Sequence, residues 1–173
     1  MLDENWSARH ITDSAQRILK QVPGRASDRG LHVVDRSSLL MLVLWSLVLW
    51  ERKVGRVALD EMGIDPFDLA RRLDGLLTER AREHPVAYDQ KQGLLVLVNT
   101  GEPGQPWDFA ALLEPLLQQA EHEASELGHN YVGSEHLVLA ICASAGPPLS
   151  DLLQQYGISR QRVKEAVLDL LQR

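Results

Sequence analysis

The chain has 173 residues and a formal net charge of −6, with 45% hydrophobic and 24% charged residues, which is typical of a globular protein. The acidic balance and the scattered lysines and arginines argue against nucleic acid or a membrane as the main partner. The single cysteine, Cys142, excludes an internal disulfide framework and favours a reducing compartment, so we expect a cytoplasmic protein.

Residues 1–10 are polar and predict an N-terminal arm, with no apolar segment of the kind that opens a signal peptide. Residues 11–22 follow with apolar side chains at helical spacing, and Thr12 is placed to cap this first helix. Pro23 and Gly24 come next and predict the end of the helix.

Residues 39–50 form the longest apolar stretch and are too few to span a bilayer. They predict a buried helix over about residues 36–52, with Asp35 as its cap. A shorter helix is expected over residues 54–62, and a fourth begins at Pro66 behind the N-cap Asp65. Residues 11–80 therefore predict one four-helix unit.

Residues 81–108 predict a linker between two halves of the chain. Residues 85–89 and 94–98 have strand composition and flank a turn that contains Gly93, so a small β-hairpin is expected. The alternative is an extended segment laid over the helices.

Residues 109–173 repeat the pattern of the first unit. Gly128 and Leu137 follow Gly30 and Leu39 by the same 98 residues. We therefore predict two four-helix repeats related by a pseudo-twofold axis, packed together as one compact all-α domain.

The sequence Leu-Gly-His-Asn-Tyr-Val-Gly-Ser-Glu-His-Leu occupies residues 127–137. Gly128 is placed to end one helix. Ser134 is the predicted N-cap of the next, and Glu135 is the predicted exposed acid in its first turn.

This motif resembles the signature of the Clp N-terminal (Clp repeat) domain, the substrate-receiving module of Clp-type AAA+ unfoldases. The resemblance implies a protein-binding module that recognises substrates or adaptors for a Clp-type chaperone–protease. Those unfoldases carry their ATPase elsewhere, and this chain has no phosphate-binding GxxxxGK[ST] motif. We therefore expect a stand-alone or excised domain that has no cofactor and is not an enzyme.

The resemblance also implies a site. In some members the Ser/Thr and Glu of the motif bind phosphorylated arginine, which assigns that role here to Ser134 and Glu135. Gly133, Tyr131 and His136 complete the expected peptide-binding site. The alternative is that Glu135 only completes a helix cap.

The first repeat lacks this polar signature, since Ser37 stands at the position equivalent to Glu135 and Leu31 at that of His129. At most one phosphoarginine site is therefore expected. His122, His129 and His136 recur every seven residues, about 10.5 Å of rise on a helix, which is too far apart to share a zinc ion. No metal is expected, and Cys142 is interpreted as a small core residue.

A second hypothesis is a degenerate structural or regulatory module that dimerises or binds one fixed partner through residues 39–50. Solvent exposure of Leu42, Trp45 and Leu49 would favour it.

Overall fold

The computed structural model describes residues 10–31, 34–50, 52–83, 86–89, 94–97 and 109–173. Within these ranges the chain folds into eight helices, four in each half, and the all-α prediction is confirmed. Those of the first half are α1 (Asp13–Asp28), α2 (Arg36–Trp50), α3 (Val54–Glu61) and α4 (Pro66–Glu83). Those of the second half are α5 (Phe109–Glu126), α6 (Ser134–Ser144), α7 (Leu149–Gln155) and α8 (Arg160–Leu171).

The predicted end of α1 at Pro23 is wrong, because the helix continues to Asp28. Proline removes one backbone donor, but Val22 and Ala26 on either side are fully buried, and that burial outweighs one missing hydrogen bond. The helix ends instead at Gly30, whose φ is 66°. This conformation lets the N–H of the next residue, Leu31, donate to the Ala26 carbonyl at 2.9 Å.

Helix α2 is the centre of the first half and packs against α1, α4 and α6. It begins where predicted, with the Asp35 carboxylate accepting the Ser38 N–H at 2.7 Å. Leu42 is fully buried and Trp45 is 9% exposed, while Leu49 is partly buried. The apolar face that the second hypothesis requires is therefore part of the interior.

Two short strands lie between the halves. Strand β1 (Val86–Asp89) pairs antiparallel with β2 (Leu94–Leu97), and Val86 lies opposite Leu97. The predicted turn at residues 90–93 and the rest of the linker, residues 98–108, lie outside the described residues, so the hairpin insert as a whole stays a prediction.

Helix α3 joins the two halves by packing against α6 and α8. The long first and short third helices of each half end at glycines with positive φ, namely Gly30, Gly63, Gly128 and Gly157. The order of the helices suits a tandem repeat, but its pseudo-twofold axis stays a prediction.

No single described helix is long and apolar enough to cross a membrane, and only α6 with α7, bent by 110°, would pass as a pair on composition.

Candidate functional site

The 127–137 motif forms a turn that the N-terminal segment of the chain holds in place. Gly128 ends α5 with a φ of 73°. The turn then pairs with the start of the chain: the Val132 N–H donates to the His10 carbonyl at 2.7 Å, and the Thr12 N–H donates to the Val132 carbonyl at 2.9 Å. Two parts of the sequence that are far apart therefore meet at the start of α6.

Ser134 does not cap α6 as predicted, because Gly133 is the N-cap and Ser134 is the first helical residue. The Ser134 hydroxyl instead accepts the N–H of Gly55, in the first turn of α3, at 3.1 Å. A Cβ on Gly55 would lie 2.6 Å from the Ser134 carbonyl oxygen. This close approach explains why the serine bonds across to α3 rather than back to its own helix.

Glu135 is buried, at 4% exposure, and the predicted exposed carboxylate is wrong. Its carboxylate lies over Gly133, where a Cβ would come within 2.6 Å of both carboxylate oxygens. Burial raises the pKa of Glu135, although its own backbone N–H, the nearby His129 and the hydroxyls of Ser134 and Tyr131 oppose the shift. Burial and the Glu135 charge in turn raise the pKa of Tyr131. The acid is thus held inside a polar cluster.

His136 is fully buried and uses both ring nitrogens. Its Nδ1 accepts the Gly133 N–H at 2.8 Å, so the proton of the neutral ring belongs on Nε2. That nitrogen lies 2.9 Å from Nδ1 of His129, to which it donates. The His129 ring stacks on Tyr131 with 5.0 Å between centroids. Burial lowers the pKa of His136 to about 4, so the ring is neutral at pH 7.

This histidine pair changes the argument about metals, because the turn at Gly128 brings together rings that one continuous helix would hold apart. Ligand atoms of His129, Glu135 and His136 lie within 4.8 Å of one another. A metal-bound histidine donates its other ring N–H, whereas Nδ1 of His136 faces an N–H donor. The geometry therefore favours a hydrogen-bonded pair over a metal centre.

A groove of about 280 Å³ opens beside the polar cluster. Four of the five predicted site residues line it, and His136 lies behind them. The other walls come from the first half of the chain: Thr12, Ser14, Lys53 and Val54. Sequence reasoning missed these residues because no local pattern marks them, and they reach the groove only through the Ile11–Val132 bridge and the packing of α3 on α6.

Cys142 lies apart from this groove and is partly buried in α6. Burial raises the pKa of its thiol to about 12, so it remains protonated and unreactive at neutral pH.

Comparisons with known proteins agree with this architecture. Residues 108–173 match the Clp repeat (R) N-terminal domain family. Over 95% of its length the chain superposes on the N-terminal domain of the Clp protease-associated chaperone ClpD from Arabidopsis thaliana, covering 96% of that chain with a TM-score of 0.57 and 14% identity. Residues 108–173 are therefore similar in sequence to a Clp repeat N-terminal domain, and the described chain has the fold of such a domain. Domains of this family are in general protein-interaction modules of Clp chaperones.

Relatives of this chain include longer proteins. It is 29% identical over 76 residues to the chaperone protein ClpB of Oceanobacillus iheyensis, a match that covers 43% of this chain and 9% of ClpB. It is 34% identical over 73 residues to an uncharacterized protein of Mycobacterium tuberculosis, covering 40% of this chain and 27% of that protein. The matched segments thus cover less than a third of each of these relatives.

Proposed function

We propose that this Clp N-terminal domain receives protein substrates or adaptors for a Clp-type AAA+ unfoldase in the cytoplasm. In this proposal the domain is a binding module without catalysis, and energy-driven unfolding takes place in the unfoldase. A peptide or a modified side chain docks in the groove beside Ser134 and Glu135.

The observation that carries the proposal is the pairing of opposite charges in one opening. Glu135 supplies a carboxylate to the wall of the groove, and the exposed Lys53 supplies an ammonium group. Phosphoarginine carries a guanidinium beside a phosphoryl group, so it offers the opposite charge to each wall. The carboxylate is desolvated, and a guanidinium that pairs with it is therefore bound more strongly than at an exposed acid.

Calorimetric titration of free phosphoarginine into the domain tests this proposal. We expect saturable binding that Lys53→Met weakens by about tenfold, since one charge-assisted hydrogen bond is lost. Glu135→Gln, which keeps the side-chain volume, is expected to abolish binding. Lys20→Met is the matched control, because Lys20 is an exposed lysine on α1 outside the groove.

Titrations of arginine and of inorganic phosphate show whether the guanidinium and the phosphoryl group of the ligand both contribute to binding. No binding at millimolar phosphoarginine, or equal effects of the two lysine variants, would contradict the proposal. Equal melting temperatures of all variants exclude unfolding as the cause of a loss.

A further inference from the structure

A second cavity, of about 450 Å³, lies between the end of α6, helix α7 and the start of α8. It shares no lining residue with the groove beside Glu135. Ala145, Leu153 and Ile158 supply apolar wall, and Arg160 and Arg162 supply charge. None of the described residues that line the cavity is acidic, and its two charged side chains, Arg160 and Arg162, are both cationic.

Arg160 is held in place by a buried acid. Its Nε donates to Oε1 of Glu123 at 2.8 Å, and Gln119 donates to the same oxygen at 2.9 Å. The bond to Glu123 uses only Nε, and within the part of the chain that the structure describes neither Nη nitrogen of Arg160 makes a hydrogen bond. Arg160 is therefore oriented before any ligand arrives, which reduces the entropy cost of binding.

The buried position of Glu123 is unfavourable for a charged side chain. Its side chain is fully buried, and its Oε2 has no hydrogen-bond partner among the described residues. Burial alone would raise its pKa, but the hydrogen bonds from Arg160 and Gln119 outweigh burial and lower it, so the group is a carboxylate at neutral pH. A buried carboxylate is unfavourable unless it is well paired. Its bond to Arg160 makes Glu123 a positioning residue.

Arg162 is fixed in a different way. Its Nη1 donates to the Gly157 carbonyl at 2.6 Å. A Cβ on Gly157 would lie 2.5 Å from that nitrogen, and the φ of this glycine is +64°. Glycine thus serves both the turn and the close approach of the guanidinium, whose Nη2 makes no hydrogen bond to a described residue.

The placement of these arginines opposes the helix dipole. They lie in the first turn of α8, which carries no acidic side chain, although the start of a helix favours negative charge. The start of α4 follows the usual rule, with Asp65 as its cap and Asp68 in its first turn. A bound anion would relieve the unfavourable charge at α8.

We propose that this cavity binds the C-terminal end of a polypeptide. The terminal carboxylate pairs with Arg160 and Arg162, and an apolar last side chain packs against Leu153 and Ile158. Two guanidinium groups in a cavity with an apolar wall match a carboxylate attached next to an apolar side chain. The volume lies within the range of pockets that take small ligands, about 300–1,000 Å³. A free phosphate would leave the apolar wall unfilled.

Fluorescence anisotropy with a labelled peptide tests this inference. The probe is fluorescein-Gly-Ser-Gly-Ser-Ala-Leu-Leu with a free carboxylate, compared with the same peptide amidated and with one that ends in Ser-Ser. We expect the free acid to bind about tenfold more tightly than either. Arg162→Gln should weaken binding of the free-acid peptide by a similar factor. Arg71→Gln is the matched control, since it removes the same charge from a side chain that is 78% exposed on α4.

The inference would be overturned by equal affinity for the acid and the amide, by equal affinity for the Leu-Leu and Ser-Ser ends, or by no saturation at millimolar protein. An equal loss in Arg162→Gln and Arg71→Gln would also overturn it, because it would mean a general charge effect. Matched melting temperatures establish that both variants fold. The phosphoarginine titration uses other residues, so either proposal can fail without the other.

Discussion

At the scale of single residues, His136 decides the structure of the turn. Its ring accepts from the Gly133 backbone on one side and donates to His129 on the other. A histidine at this position reads equally well from sequence as a ligand, a metal donor or a cap. Only the structure separates these interpretations, because the Gly133 N–H donates to Nδ1 and so fixes the tautomer of the ring. The ring therefore stabilises the turn that positions Glu135.

The burial of His136 predicts a loss of stability in acid. Its pKa is about 4 in the folded chain and 6.5 in the reference state, so between these values the unfolded chain binds the extra proton and stability falls as the pH falls. The full loss is about 3 kcal/mol. Urea unfolding at pH 7, 5.5 and 4.5 measures how the free energy of unfolding falls over this range.

His136→Asn is the control, because the asparagine oxygen still accepts the Gly133 N–H but does not titrate. Glu135 has the opposite effect, since its raised pKa favours the folded chain as the pH falls. Because Glu135 is present in both proteins, its effect cancels when their pH profiles are compared. Parallel pH profiles for the two proteins would refute the assignment to His136.

At the scale of elements, local sequence predicts the helix boundaries where a side chain caps its own helix. Thr12 and Asp65 accept the N–H groups expected of them, and Gly128 ends α5 as predicted, whereas the predicted end of α1 at Pro23 is wrong. Ser134 and Glu135 escape this reasoning because their surroundings come from α3. The decisive bond joins Ser134 to Gly55, 79 residues earlier in the chain. No pattern in residues 127–137 predicts the contact between Ser134 and Gly55.

The approach of α3 to α6 predicts opposite effects for two glycine substitutions. Gly55→Ala places a methyl group 2.6 Å from backbone at Ser134, so we expect a loss of about 1–3 kcal/mol of stability from overpacking. Gly75→Ala in α4 meets no atom within 4 Å and should gain about 0.5–1 kcal/mol. Denaturant midpoints of the two variants check the pair. A neutral Gly55→Ala would mean that α3 is not tightly packed on α6.

At the scale of the whole molecule, the two halves form one structure although the family match covers only residues 108–173. Helix α3 packs against α6 and α8, and Arg72 of α4 donates to Gln155 of α7 at 2.9 Å. The apolar faces of α6 and α8 are therefore completed by residues from the first half. This burial could not be read from the second half alone.

A fragment of residues 109–173 is accordingly expected to lack a cooperative thermal transition, because it exposes the surface that α3 covers. Circular dichroism melts of the fragment and of the whole chain measure this. Adding a separate fragment of residues 10–83 should restore part of the transition. A sharp unaided melt of the second fragment would show that the halves are independent.

The pairing of Ile11 with Val132 has a consequence for the order of events during synthesis. The partners are separated by 121 positions (132 − 11), and contacts so distant in sequence form late in folding. On the ribosome, the groove cannot exist until the motif has emerged from the exit tunnel. A truncated nascent chain would therefore have helices but no groove, and the groove is present only on chains whose translation has passed the motif.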